Sequence, residues 1–229
     1  WDGRPPGASM NGHTPAVRHE SRLPPALAIV VVILLLAALR GHVFVIPVWV
    51  SYLAALVALT SMAAVAITHG NVRWLRIERA IILFWALVYG ANTLAELTDM
   101  LGVTTFHPPG RNAFSLMSSS VAIWVSNVLG FSLLYWQIDR GGPAARASAT
   151  SARPDWVFPQ PAVPEDLPAG WRPLFLDYLF LAYNTATSFS PADVAPLTHR
   201  AKMLMMAESM ISLLTTVIVR SRATNALPS

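Results

Sequence analysis

The sequence predicts an all-α integral membrane protein, and three observations carry that prediction. Of 229 residues, 54% are hydrophobic and only 12% charged, against about 25% charged in an ordinary soluble domain. Uncharged runs at 23–39, 43–68 and 112–138 match or approach the roughly 20 residues that a helix needs to cross a ~30 Å hydrocarbon core. Arginine falls outside these runs, as in the basic loop at 69–79 and the proline-rich segment at 139–173, which is where connections belong.

Each element follows in order. Residues 1–22 mix Pro, Gly, His and Arg and read as a polar tail. A membrane domain of four helices fills 23–138. Its first helix covers 23–39, and Arg40-Gly41-His42 makes a tight connection. The second covers 43–68, with Pro47 in its opening turns, where proline is tolerated. A short basic loop at 69–79 carries Arg73, Arg76 and Arg79. The third helix covers 80–101, a His-Pro-Pro-Gly turn follows, and the fourth covers 115–137.

Residues 139–173 are crowded with proline. Proline disfavours helix at the residue before it as well as at itself, so the segment reads as an extended linker or a cap. Its Trp156, Phe158 and Trp171 are expected to anchor at headgroup level. A short helix at 174–187 spans only ~21 Å at 1.5 Å per residue. A loop at 188–196 and a last helix at 198–220 follow, within a module at 174–222 and before a tail at 223–229. The total is five to six membrane helices, in a multi-pass protein of the plasma membrane.

Charge and composition narrow the function classes. The formal net charge is +4, with basic residues almost all Arg. In a membrane protein this points to loop orientation and membrane lipids as partners, not to nucleic acid. Cysteine is absent, so no disulfide framework or thiolate chemistry is expected. His42, His69, His107 and His199 lack metal-ligand spacing, so no metal and no cofactor is expected. The Met203, Met205, Met206 and Met210 cluster reads as packing. No hydrolase, P-loop or zinc-protease motif is found, and an enzyme is not expected. The fourth helix lacks the repeated Arg of a voltage sensor.

Residues 177–193 read Asp-Tyr-Leu-Phe-Leu-Ala-Tyr-Asn-Thr-Ala-Thr-Ser-Phe-Ser-Pro-Ala-Asp. In register and without gaps, this resembles the Asp-x-x-Tyr-Phe-Ser-Phe-x-Thr-x-Thr-Thr-Val-Gly-Tyr-Gly-Asp pore signature of tetrameric potassium channels. The resemblance covers the short helix, the filter-like loop and the last helix. Asp177 falls on the acid that begins the pore helix, with Tyr178, Phe180 and Tyr183 as its packing aromatics. Thr185 and Thr187 fall on the paired threonines, Ser188 on a further one and Asp193 on the closing acid. Val194-Ala195-Pro196-Leu197-Thr198 matches Ile-x-Pro-x-Thr. Glu208 falls on an inner-helix Glu with a supporting role, Ser212 on a hinge position and Arg222 at the end of the span.

The departure is in the filter. Phe189, Ser190, Pro191 and Ala192 stand where the family has Val-Gly-Tyr-Gly. A potassium filter replaces the ion's water with aligned backbone carbonyls, in conformations that glycine reaches and other residues resist. Pro191 also fixes its own φ. The resemblance therefore implies a homotetrameric, weakly selective cation pore, with Thr185, Thr187, Ser188 and Ser190 hydroxyls meeting monovalent ions. The alternatives are a non-conducting scaffold or accessory subunit with the same fold, or a small transporter using Glu96 and Asp99. Asn92, Glu96 and Asp99 share one face of the third helix at i, i+4 and i+7. Polar groups at membrane depth usually face an interior or a water cavity, while a position near the helix end would let Glu96 and Asp99 reach the headgroups.

The sequence leaves two topologies open. If 174–187 spans, the arginine-rich segments share one side and the excess of positive charge on the cytoplasmic side is obeyed. If it re-enters, as in the channels, only a minority of arginines lie on the side that is cytoplasmic in that family.

Overall fold

The computed structural model describes residues 20–38, 47–68, 71–106, 113–147, 152–159, 171–187 and 194–225, with side chains omitted near several helix ends. Helices dominate: α1 (Leu23–Ala38), α2 (Val48–Ile67), α3 (Val72–Phe106), α4 (Ala113–Ile138), the short α5 (Pro143–Ala147), α6 (Phe175–Thr187) and α7 (His199–Asn225). A 3₁₀ turn (Asp139–Gly141) follows α4, and two-residue strands β1 (Trp156–Val157) and β2 (Ala195–Pro196) pair antiparallel.

Local chemistry sets the helix ends. Ser21 Oγ accepts the Leu23 amide at 3.3 Å, and Pro24-Pro25 sit in the first turn of α1, where a missing N–H costs nothing. Asn71 caps α3: its Oδ1 accepts the Arg73 amide at 3.0 Å. That cap corrects the basic loop expected at 69–79, because Val72 to Arg79 form the first two turns of α3. At the end of α4 the chain reverses through Arg140, Gly141 and Gly142, all with positive φ. A Cβ on Gly142 would lie 2.8 Å from the Gln137 carbonyl oxygen, so this turn requires glycine.

The fourth helix is the hub, packing against α1, α3, α6 and α7, while α2 lies outside on α3 and α1. Among the described residues three helical segments are long and apolar enough to cross a membrane: Trp49–Ile67, Arg73–Ala95 and Ser118–Gly141. The apolar α1 is shorter, at 16 residues. The radial distribution is inverted relative to a soluble bundle. Leu34, Leu53, Phe84, Leu87 and Val121 face outward, while Ser61, Asn92, Ser126, Asn127, Ser132 and Glu208 are buried. An apolar exterior around a core that also holds polar side chains is the arrangement a hydrocarbon solvent selects.

Of the two readings of the proline-rich segment, its described residues fit a cap on the bundle. Trp156 is fully buried and Phe158 nearly so. Phe158 meets the Tyr178 ring edge-on at 5.5 Å and tilts against Trp171 at 6.1 Å. The expected headgroup anchors Trp156 and Phe158 are thus core residues, because this segment folds back over the ends of α4, α6 and α7.

Candidate functional site

Two polar layers join α4, α6 and α7. The first sits where α4 ends. Arg146, on α5, donates from Nη1 to the carbonyls of Trp136 at 2.8 Å and Asp139 at 2.9 Å. A cation against the open carbonyls of a helix C-terminus also opposes the negative end of its dipole. The same guanidinium grips Glu20 with two bonds, at 2.8 and 2.9 Å, and lies 5.4 Å from the Tyr178 ring centre. Trp136 Nε1 donates to Glu20 at 2.9 Å. Burial pushes the Glu20 carboxyl upward, but Arg146, Trp136 and Arg22 outweigh it and hold Glu20 below the usual carboxylate range. Burial likewise works against the charge on Arg146, and Glu20 with its acidic neighbours raises Arg146 above the ordinary value.

Asp139, fully buried, ties three segments together. It accepts the Tyr178 hydroxyl at 2.7 Å and the Asp155 amide at 2.8 Å. Asp155 in turn holds Arg200 through two bonds, at 2.6 and 2.7 Å, and the Thr198 hydroxyl at 2.6 Å. Thr198 Oγ1 accepts the Ala201 amide at 3.2 Å and so caps α7. At the start of α6, Asp177 reaches back to accept the Leu174 amide at 2.7 Å, the acidic half of a capping box.

The second layer is deeper. Glu208, fully buried on α7, accepts the hydroxyl of Tyr135 on α4. Its other carboxyl oxygen has no hydrogen-bond partner among the described residues. Asn127 donates to Ser212 Oγ at 2.9 Å and to the Glu208 carbonyl at 3.4 Å. Ser209 donates to the Thr185 carbonyl at 3.2 Å. Thr185 and Thr187 return their own hydroxyls to backbone carbonyls one turn earlier, at 2.9 and 2.8 Å.

These contacts fix helix direction. The N-termini of α6 and α7 both lie at the Asp139 layer, through Tyr178 and through Asp155–Arg200, and Thr185 meets Ser209 one layer deeper. The two helices therefore run the same way, antiparallel to α4. The end of α6 and the start of α7 thus lie one α6 length apart, ~20 Å along the bundle.

No protein-family model matches the chain, and no curated protein or solved structure matches it. The likeness of residues 177–193 to a channel pore rests on those residues alone.

The structure buries Thr185, Glu208 and Ser212 where α4, α6 and α7 meet, whereas Asp177 caps the start of α6 and the Thr187 hydroxyl bonds back to the α6 backbone. Ser188, Phe189, Ser190, Pro191, Ala192 and Asp193 lie outside the described residues. The pore-helix aromatics divide: Tyr178 faces inward, whereas Phe180 and Tyr183 face outward. Asn92 is placed elsewhere, donating to Ser51 on α2 at 3.3 Å. The backbones of Glu96 and Asp99 continue α3, and their side chains lie outside the described residues. Among the described residues no group of His, Cys, Asp and Glu is arranged to hold a metal ion.

Sequence reasoning missed Glu20, Tyr135, Asp139, Arg146 and Asp155. The available signal was scarcity. In a chain with 12% charged residues, each acid beside a membrane helix needs a partner, and the arginines of 139–173 were the nearest candidates.

Proposed function

We propose that this protein is the subunit of an oligomeric cation pore with weak selectivity, built on α6, the segment after it and α7. One observation carries the reading: α6 and α7 enter from the same end of the bundle and run side by side. A helix of 13 residues that is too short to span, followed by a return and a long helix, is what a re-entrant pore hairpin requires. Irregular backbone at membrane depth is tolerated only where protein or water surrounds it, so the reading demands several copies around an axis, and a homotetramer is the expected assembly.

Chemistry supports cations over anions. Asp193 would stand at the mouth, and the hydroxyls of Thr187, Ser188 and Ser190 would contact partly hydrated ions. Ser190-Pro191-Ala192 resists the aligned carbonyls that potassium selectivity needs. Phe189 supplies an apolar constriction that gates by dewetting. On α7, Met203, Met206, Met210, Leu213 and Val217 form an outward stripe, each 55–65% exposed, spaced like a helix-packing seam. This is the face α7 would turn to neighbouring subunits.

The test is ion flux and single-channel recording after reconstitution. Current with little discrimination between potassium and sodium, increased by Phe189→Ala, is the expected outcome. Strong potassium selectivity would overturn the filter argument. An intact oligomer without current would assign the chain to the non-conducting scaffold class.

A further inference from the structure

Charge is divided unevenly between the two ends of this bundle. At the Asp139 end, several arginines are neutralised internally, as Arg22–Glu78, Arg146–Glu20 and Arg200–Asp155. Among the described residues Arg73, Arg76, Arg153 and Arg172 have no such ion pair, and all four are exposed. Their positions are fixed by contacts. Arg79 donates to the Gly141 carbonyl at 2.5 Å, so Arg76 and Arg73, one and two turns earlier on α3, project beyond the end of α4. Arg153 follows Ala152, whose methyl lies 3.9 Å from the place a Cβ on Gly141 would take. Arg172 donates to the Arg146 carbonyl at 2.7 Å. At the other end, the described helices carry Glu96 and Asp99 on α3 and Arg220 and Arg222 on α7, which balance.

An excess of Arg beside membrane helices marks the cytoplasmic side, whose leaflet is anionic and attracts basic segments close to the surface. Re-entry and charge asymmetry conflict only if the re-entrant helix must come in from outside. The contacts place the N-termini of α6 and α7 at the arginine-rich end itself. We propose that this end is cytoplasmic, that Arg73, Arg76, Arg153 and Arg172 rest on anionic phospholipid headgroups, and that α6 enters the membrane from the cytoplasmic side. This is opposite to the orientation of the channels its sequence resembles, and it rests on the re-entrant reading of α6.

The cysteine-free chain makes the test direct. Single variants Arg153→Cys and Asn225→Cys are exposed to a membrane-impermeant maleimide, in intact cells stripped of any outer envelope and after permeabilisation. The expected pattern is Arg153→Cys labelled only after permeabilisation and Asn225→Cys labelled in intact cells. The reverse pattern keeps re-entry and overturns the orientation. Both positions on one side means that α6 crosses fully, which overturns the re-entrant reading itself. The headgroup contact has its own readout. In nanodiscs, adding phosphatidylglycerol to phosphatidylcholine should raise the melting temperature by a few degrees, and the combined Arg73→Gln, Arg76→Gln, Arg153→Gln variant should lose that rise. Equal melting in both lipids overturns the headgroup contact.

Discussion

Tyr135 and Glu208 show how few donors a buried carboxyl in this bundle can draw on. Tyr135 supplies one hydroxyl, and the second carboxyl oxygen has no partner among the described residues. Tyr135→Phe would leave both oxygens unsatisfied at a fully buried site, a loss of about 1–3 kcal/mol. Adding Glu208→Leu should recover part of it, because the orphaned group is then gone. Thermal unfolding of the single and double variants in one detergent reads both effects. If the double variant is no more stable than Tyr135→Phe, the pair is not coupled. At the α4 terminus, Gly142→Ala should cost about 1–3 kcal/mol for strain, because φ is +90° and the Cβ meets the Gln137 carbonyl. A Cβ added at Gly90 would meet nothing within 4 Å, so Gly90→Ala is the tolerated control.

Glu20 adds a pH dependence. Its folded carboxyl titrates below the usual range, so the unfolded chain binds its proton more readily. The stabilisation is complete above the unfolded value and is lost as pH falls through the lower, folded one. Melting temperature should therefore decline on acidification in the wild type, and the decline should be shallower in Glu20→Gln. Identical slopes would mean that the Arg146–Glu20 fork is not the acid-sensitive contact.

Among the elements, the start of α7 depends most on contacts distant in sequence. Asp155 anchors Arg200 and Thr198, and β1 pairs with β2 beside it. Asp155→Ala should release the first turns of α7. The cost is about 1–3 kcal/mol, with the smaller share from Arg200, whose exposed side chain leaves its ion pair screened by solvent. Hydrogen exchange over residues 195–202 should quicken while α2 and α3 stay protected.

The same elements show what could be read in advance. The helical class, α2, α4 and the short α6 were legible from uncharged run length and Pro positions, since hydrophobicity reports on burial in lipid or protein alike. Asn71 was a readable cap, but three arginines after it suggested a loop, and α3 begins two turns earlier than its apolar run. The clasp of Asp139, Asp155 and Arg146 was not legible, because nothing local in a proline-rich stretch says that it returns to the bundle. Of the candidate site, Thr185, Glu208 and Ser212 are buried where α4, α6 and α7 meet, while Asp177 caps α6 and Asn92 turns to α2. Helical spacing groups residues on a face without saying which neighbour that face meets.

At the scale of the whole molecule, the outward stripe on α7 differs from the outward faces of α2 and α3 in what should lie against it. If α7 faces other subunits, Met210→Cys in the cysteine-free chain should give disulfide-linked dimers on mild oxidation in native membranes, and Leu87→Cys on α3 should not. Equal cross-linking at both positions would indicate random collision rather than an interface.

The parallel course of α6 and α7 also dictates an order of assembly. A helix of 13 residues that ends inside the bundle cannot be released into lipid as a finished span. Its inner face meets Asp139 at the end of α4 through Tyr178, and Ser209 of α7 through the Thr185 carbonyl. Its wall is therefore incomplete until the ribosome has delivered residues beyond 212. If α6 re-enters, it waits during synthesis for α7, and the Ser209–Thr185 bond is the last of its contacts to close. A nascent chain stopped between 187 and 198 should expose that unfinished wedge to the quality-control proteases of the membrane, whereas one stopped after α4 presents a bundle whose earlier helices are already paired.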